Sequence, residues 1–377
     1  LAWPTLKRVL RTGELKPADP ADELGLFAVQ SLEPEPIPAD LKVVFVGEPA
    51  TFYALQALDH EFDELFKVKV DFAPDMDRTS DSEQGLAHLI AAQCRERSLP
   101  PFDAHAVARI VEESSREAGD QAKLTTRFRS LVDLVVEAAH DNGDEGAVTR
   151  ANVEAAIQAR EARNERPRRR LLELIARGVL TFDPTGEAAG QLHGLALLAG
   201  GGRGFGRPIR VMASAYMGSG GVVAVEREVE LSGPVHNKGF LVLTGYLGRR
   251  FAQAHPMTVS ATVSFDQLYD EVEGDSASAA ELFALLSAIG GIPLRQGIGV
   301  TGAINQDGVI LPVGGVTEKV EGFFAACERV GLNGSQGVIV PSRNIDNLVI
   351  SENVRRAVAD GQFSVYAIGH VEEGWPI

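Results

Sequence analysis

Apolar and polar positions change rhythm three times along this chain. In the first eighty residues the pattern is mixed. Residues 3–10 have the spacing of a short amphipathic helix, 17–38 form a proline-rich connection, and 41–47 are a largely apolar run ended by Gly and Pro49, as a buried strand would be. Residues 51–65 read as a helix, and 66–72 alternate with period two as a strand should. These elements predict a piece of an α/β sheet, too small to close a core alone. From 81 to 165 apolar positions recur at helical spacing in 85–97, 103–118, 125–141 and 149–164, punctuated by Pro100-Pro101 and Asn142-Gly143. The charged run 160–170 is read as a domain junction or a solvated helix end. Beyond 171 the texture becomes short β-type runs at 192–198, 209–215, 222–229, 240–243, 258–265 and 298–304, interrupted by helices over 276–289 and 317–330. The last stretch adds strands at 338–340 and 363–368 around a partly helical 344–360. That predicts an α+β domain of about two hundred residues.

Length and charge narrow the function. A chain of 377 residues suggests two or three domains, placed at 1–80, 81–170 and 171–377. With 45% hydrophobic and 23% charged residues the composition is globular rather than disordered. Lys and Arg number 36 against 52 Asp and Glu, a net charge of −16 that argues against a nucleic-acid surface and an anionic membrane. No run approaches the ~18 consecutive apolar residues of a spanning helix, and the first residues lack a signal-peptide core. Two cysteines with no CxxC pair give neither a disulfide framework nor a cysteine metal site, which fits a reducing cytoplasm. None of the eight histidines sits in HExxH, so no metal site is expected. The glycine-rich stretch 200–206 lacks the Gly-Lys-Ser/Thr ending of a phosphate loop and precedes a β-type run, so it reads as a hairpin.

Two places could carry chemistry. Gly274-Asp275 delivers Ser276 to the start of an Ala- and Leu-rich helix, where unpaired backbone N–H groups suit an oxyanion. The alternative is that Asp275 or Ser276 simply caps the helix. A serine nucleophile needs a base, and the spacing of His193, His236 and His255 pairs none of them with it. Lys319 lies in the first turn of a second helix, beside Val316, Val320, Phe323 and Phe324. A helix N-terminus and apolar neighbours both disfavour its charged form and would lower its pKa toward that of a base. Alternatively it snorkels to solvent and pairs with Glu318 or Glu321.

A family resemblance bears on both. Gly190-Gln191-Leu192-His193-Gly194-Leu195, Ser232-Gly233-Pro234-Val235-His236-Asn237-Lys238-Gly239, Phe265-Asp266-Gln267-Leu268-Tyr269 and Glu273-Gly274-Asp275-Ser276-Ala277-Ser278 occur in order. They are followed by Ile292-Pro293-Leu294-Arg295-Gln296-Gly297, Val300-Thr301-Gly302-Ala303, Gly314-Gly315-Val316-Thr317-Glu318-Lys319 and Gly334-Ser335-Gln336-Gly337-Val338. Over about 186–374 the chain resembles the proteolytic domain of Lon proteases in their archaeal (B-type) form. Ala2-Trp3-Pro4-Thr5-Leu6-Lys7-Arg8 resembles the segment after the Walker B strand of their AAA+ module, and Val43-Val44-Phe45-Val46-Gly47-Glu48-Pro49 its sensor-1 strand. Residues 81–165 resemble the small helical AAA+ subdomain.

The resemblance implies a Ser-Lys dyad, with Ser276 as nucleophile and Lys319 as base. It puts Glu273 and Asp275 in support, to orient or gate the site, and Thr301 beside the lysine amine. Residues 297–303, with Gly297, Gly299 and Thr301, are expected to bind an extended peptide by β-pairing. Arg127 is the expected sensor-2 arginine, whereas Asp63 stands where relatives tend to carry Arg, a departure from the pattern of an arginine finger. No GxxxxGK[ST] and no Walker B acidic pair occur. The chain therefore reads as the C-terminal part of a longer protein, with no cofactor of its own and with ATP and Mg²⁺ expected for the intact one. The expected fold is a partial α/β AAA+ remnant, an all-helical small subdomain and an α+β proteolytic domain. The expected function is a serine endopeptidase acting on unfolded or damaged proteins within a cytoplasmic, hexameric, ATP-dependent quality-control protease. The alternatives are an ATP-independent Lon-like peptidase and a protease-like scaffold.

Overall fold

The computed structural model describes residues 2–16, 35–142, 146–198 and 204–377. The expected connection at 17–34, the turn residue Gly143 and positions 200–203 of the glycine-rich stretch lie outside the described residues. The chain divides into two compact units, Leu1–Phe72 and Ala73–Ile377.

The first unit contains α1 (Ala2–Thr12), β1 (Glu14–Leu15), β2 (Ile37–Pro38), α2 (Pro49–Leu58) and α3 (Phe62–Leu65). Its interior is a cluster of rings, with Phe45 and Phe66 4.7 Å apart and Phe62 and Phe66 5.2 Å apart. Trp3 Nε1 donates to Asp59 at 2.6 Å, and Lys7 bridges Asp59 and Glu61 at 2.8 and 2.7 Å. Three sequence expectations are corrected here. Residues 41–47 and 66–72 are not strands, and Val46 and Phe72 are 95% and 90% exposed. Strand backbone needs a neighbour for its N–H and C=O groups, and the described residues pair only β1 with β2 in this unit. The helix expected over 51–65 is two helices, parted at the extended residue Asp59. No α/β sheet fragment forms among the described residues of 1–80, and residues 73–80 belong to the second unit.

That unit begins with a helical layer: β3 (Asp75–Asp77), α4 (Ser80–Arg97), α5 (Ala104–Ala118), β4 (Lys123–Thr125), α6 (Phe128–Asn142), α7 (Arg150–Asn164) and α8 (Arg166–Ala176). Caps fix the boundaries. Asp103 accepts the Ala106 N–H at 2.7 Å, and Thr79 with Ser82 forms a capping box. One core, including Leu86, Ile110, Leu134 and Ile157, holds α4 to α7 together.

The remaining elements are β5 (Glu187–Ala189), β6 (Gln191–Leu198), β7 (Phe205–Met217), β8 (Gly221–Ala224), α9 (Val225–Glu228), α10 (Pro234–Phe251), β9 (Val259–Phe265) and α11 (Ser278–Gly290). After them come β10 (Pro293–Arg295), β11 (Ile298–Val300), β12 (Ala303–Ile304), β13 (Ile310–Leu311), α12 (Val316–Val330), β14 (Gly337–Pro341), α13 (Glu352–Ala359) and β15 (Ser364–Ile368). Seven strands form one mixed sheet in the order β15-β14-β11-β6-β7-β9-β8. Strand alternation places the two long helices on opposite faces. Ile339 joins the core containing Leu282 and Leu285 of α11, while its neighbours Val338 and Val340 join the core containing Val320 and Phe323 of α12.

Within this sheet β6 and β7 pair as a hairpin from Gln191↔Met212 to Leu198↔Phe205, as the glycine-rich stretch suggested. Residues 240–243, expected as a strand, lie inside α10. Phe240, Leu243 and Leu247 are buried there on one helical stripe that a four-residue window hides. The run 222–229 turns from β8 into α9, and 298–304 is split into β11 and β12. Arg116 of α5 ties the helical layer to α12. It makes a two-pronged bond to Glu321, both distances 2.7 Å, and another to the Val349 carbonyl at 2.8 Å.

Candidate active site

The interior strand β11 ends at Val300, and the next two residues knit the site together. The Gly302 N–H donates to the Ser276 carbonyl at 2.9 Å, and the Gly302 carbonyl accepts the Ala279 N–H at 3.0 Å. The segment before α11 is thereby held to the end of β11. Gly274 supplies the bend with a φ of +90°, a region that glycine alone enters without strain. Ser276 precedes the helix, whose N-cap is Ala277 with no side-chain cap bond. Neither Asp275 nor Ser276 is spent on capping.

From the opposite face of the sheet comes Lys319, in the first turn of α12. Its Nζ lies 3.0 Å from Ser276 Oγ and 3.2 Å from Thr301 Oγ1. Thr301 Oγ1 donates in turn to the Ser276 carbonyl at 3.4 Å. The lysine is 3% exposed, and burial pulls its pKa down to about 8 against an opposing pull from Asp275. Snorkelling to Glu321 does not occur, because that carboxylate is taken by Arg116. Part of the burial comes from Gly206 of β7. A Cβ there would fall 2.7 Å from the Lys319 Cα, so only glycine lets the strand cover this turn. Gly206 and Gly302 were not singled out from sequence. Their signals were a glycine opening a β run and a glycine directly after a threonine.

The supporting residues are placed unevenly. Thr301 joins the dyad. Asp275 packs on Gly239 and acts on Lys319 through its charge, and its carbonyl accepts from both the N–H and Oγ of Ser278. Glu273 is exposed, with its side chain over Gly233 at the start of α10 rather than on the dyad. Among the histidines, His193 is buried with Nδ1 3.0 Å from the Gln296 carbonyl, and burial pushes its pKa down to about 4. His236 faces Glu281, and His255 is exposed. None of the three bonds Ser276.

The geometry narrows one expectation and overturns another. The first turn of α11 does not offer all its N–H groups to an oxyanion, since Ser278 and Ala279 donate to the carbonyls of Asp275 and Gly302. The N–H groups of Ser276 and Ala277 take no partner among the described residues. Nor can 297–303 receive a peptide by edge pairing. Gly299 and Val300 are hydrogen-bonded to β14 on one side and β6 on the other, and the Gly297 carbonyl accepts from Gly337. Gly299 lies under the Phe323 ring, and the Thr301 N–H goes to Ile339. On β6 the pairing with β11 stops at Gly194, and 195–198 have no strand paired on that side among the described residues.

Arg127 lines a cleft of about 460 Å³ shared with Arg160, Phe205, Glu318 and Gly322, on the reverse side of the lysine helix. Among the described residues no phosphate loop stands beside it, and the sequence contains none. Among the described residues no group of three or more His, Cys, Asp or Glu could hold a metal ion, and no helix is long and apolar enough to cross a membrane.

Comparison with known proteins bears on the family of the chain. Residues 1–73 match the family model for a LonB-like AAA domain, 101–163 that for the AAA+ ATPase LID domain of archaeal LonB, and 271–373 that for the Lon protease (S16) C-terminal proteolytic domain. A putative Lon protease homolog of Escherichia coli K12 is 32% identical over 346 residues, covering 90% of this chain and 58% of that protein. One from Haemophilus influenzae is 41% identical over 185 residues, 48% of this chain and 31% of that protein. The archaeal Lon protease of Archaeoglobus fulgidus is 29% identical over 344 residues, 90% of this chain and 52% of that protein. The chain thus spans roughly a third to three fifths of the length of these relatives. With the AAA, LID and proteolytic models matched in order along one chain, it belongs to the Lon protease family.

Proposed function

We propose that this chain is a serine endopeptidase whose nucleophile is Ser276 and whose base is Lys319. The observation that carries this is the 3.0 Å approach of a buried, pKa-lowered lysine to a serine that caps nothing. Neutral Lys319 takes the Ser276 proton as Oγ bonds to the peptide carbonyl carbon. The Ser276 and Ala277 N–H groups are the donors left for the oxyanion. The lysine then gives its proton to the leaving amine as the C–N bond breaks. Water attacks the acyl-enzyme, passes a proton to Lys319 and frees the acid, and Ser276 recovers its proton. Thr301 holds the amine in line.

Extended peptide would add to the open edge of β6 at 195–198, where main-chain bonding reads backbone rather than sequence. Unfolded or damaged protein is the substrate class that suits such a groove. A hexameric ring, a cytoplasmic setting and delivery of substrate by ATP hydrolysis belong to this reading for the longer relatives' architecture. Two free cysteines, Cys94 and Cys327, fit a reducing compartment. No step above runs through nucleotide.

Cleavage of a fluorogenic unstructured peptide, without nucleotide, tests the dyad. Ser276→Ala and Lys319→Met should each lower kcat by about 10³-fold or more while the far-UV spectrum stays native. Full activity in either variant would remove its residue from the mechanism.

A further inference from the structure

Behind the turn that delivers Ser276, three titratable side chains are sunk into the apolar core. His236 lies in the first turn of α10, Glu281 in the first turn of α11 and Glu226 in α9, and none is more than 5% exposed. His236 Nε2 is 3.2 Å from Glu281 Oε1. Glu226 Oε1 accepts the Phe265 N–H at 2.7 Å from the end of β9, and the Phe265 ring stands edge-on to His236 at 5.7 Å. Three polar atoms of this group have no hydrogen-bond partner among the described residues: His236 Nδ1, Glu226 Oε2 and Glu281 Oε2. Such atoms cost stability in a core and ask for a reason.

Their position suggests one. The start of α10 is where the segment 271–277 docks. Ser232 and Val272 form a bridge, the Gly233 N–H donates to the Val272 carbonyl at 2.8 Å, and the Val272 N–H donates to Leu231 at 2.9 Å. In the second turn of α10, Gly239 receives Asp275. On the far side of Ser276, Glu281 sits five residues into the chain that becomes α11. The His236–Glu281 bond therefore ties together the two helices between which the nucleophile is strung.

We propose that the buried His236–Glu281 pair, with Glu226 sunk in the same core, is a brace that positions segment 271–277, and with it Ser276, by locking the start of α10 to the start of α11. These are positioning residues, and the proposal rests on Ser276 being the nucleophile. One imidazolium and two carboxylates are neutral together only when one carboxyl holds a proton. Burial first, and then the Glu281 charge, raise the pKa of Glu226 against the pull of the Phe265 N–H. Burial opposes the His236 cation, but the hydrogen bond and charge of Glu281 from α11, then Glu226 from α9 and Glu273 from the docked segment, pull its pKa up on balance. Loss of that proton leaves a carboxylate in the core with no counter-ion, and the dock at 271–277 loosens.

The test uses the full chain and two readouts that do not involve peptide cleavage. Histidine Cε1–H resonances are titrated by NMR, with His236 assigned through His236→Gln, and hydrogen-exchange protection of 271–277 is followed over the same pH range. Protection in the wild type should fall at least fivefold as His236 loses its proton. Glu281→Gln should abolish that pH dependence, and Glu226→Gln, which imitates the protonated carboxyl, should keep it. Protection that stays constant through the His236 titration would overturn the brace, as would an unchanged pH dependence in Glu281→Gln. The wild-type experiment decides by itself if Glu281→Gln does not fold. An inactive Ser276→Ala with constant protection would sink the brace and leave the dyad standing; the reverse pattern would do the opposite.

Discussion

Residues 41–47 and strand β14 are written in nearly the same alphabet and end differently. Val43-Val44-Phe45-Val46-Gly47 and Gly337-Val338-Ile339-Val340-Pro341 are both short apolar runs bounded by glycine and proline. All five residues of β14 are buried, with β11 on one side and β15 on the other. In 41–47 no strand forms, and Val44 and Val46 are 84% and 95% exposed. A strand's stability lies in cross-strand and face-to-face neighbours more than in its own propensity. The contrast teaches that apolarity marks where a strand can form, and its neighbours decide whether it does.

Substitutions should divide along the same line. The largest effect is expected where charge is buried. Arg116→Ala strands Glu321, which is otherwise held by Arg116 and the Ser351 N–H, and should cost about 3–5 kcal/mol in denaturant unfolding. Ile339→Ala in β14 should cost about 2–5 kcal/mol, whereas Val46→Ala should stay within about 0.5 kcal/mol. Equal costs at the two positions would erase the comparison.

Lys319 sharpens it from the other direction, because its burial works against stability. Its folded pKa of about 8 lies below the unfolded value of 10.5. Between those two pH values the unfolded chain binds more protons, so stability rises with pH there and is flat below. Lys319→Met should remove that rise. Below pH 8 it should leave the protein more stable by up to about 3 kcal/mol, as read by urea unfolding at pH 7 and pH 10.

Much of the site was legible before the fold. Ser276 and Lys319 stood out through ordered motifs spread over nearly the whole proteolytic part. Local spacing alone left each with an ordinary alternative, a cap for one and a snorkelling cation for the other. Those alternatives fell to tertiary facts: an N-cap at Ala277, and Arg116 reaching Glu321 from 205 residues away. The long helices were readable because 3.6-residue periodicity is local. Position within the sheet was not. Nothing in Ile298-Gly299-Val300 says that it lies between two parallel partners, and so a pairing edge was expected on β11, where both sides are taken. The brace was equally hidden, since His236 and Glu281 lie 45 residues apart and meet only through α10 and α11.

The central claim is that a buried neutral lysine activates Ser276, and the pH dependence of kcat/KM for an unstructured peptide tests it most directly. For the free enzyme this profile reports the ionisation of the base. The account predicts a rate that climbs with pH on a single limb centred at about 8, where Lys319 gives up its proton. A profile already flat from pH 6 upward would contradict it, as would a limb near 6.5 that disappears on replacing a histidine.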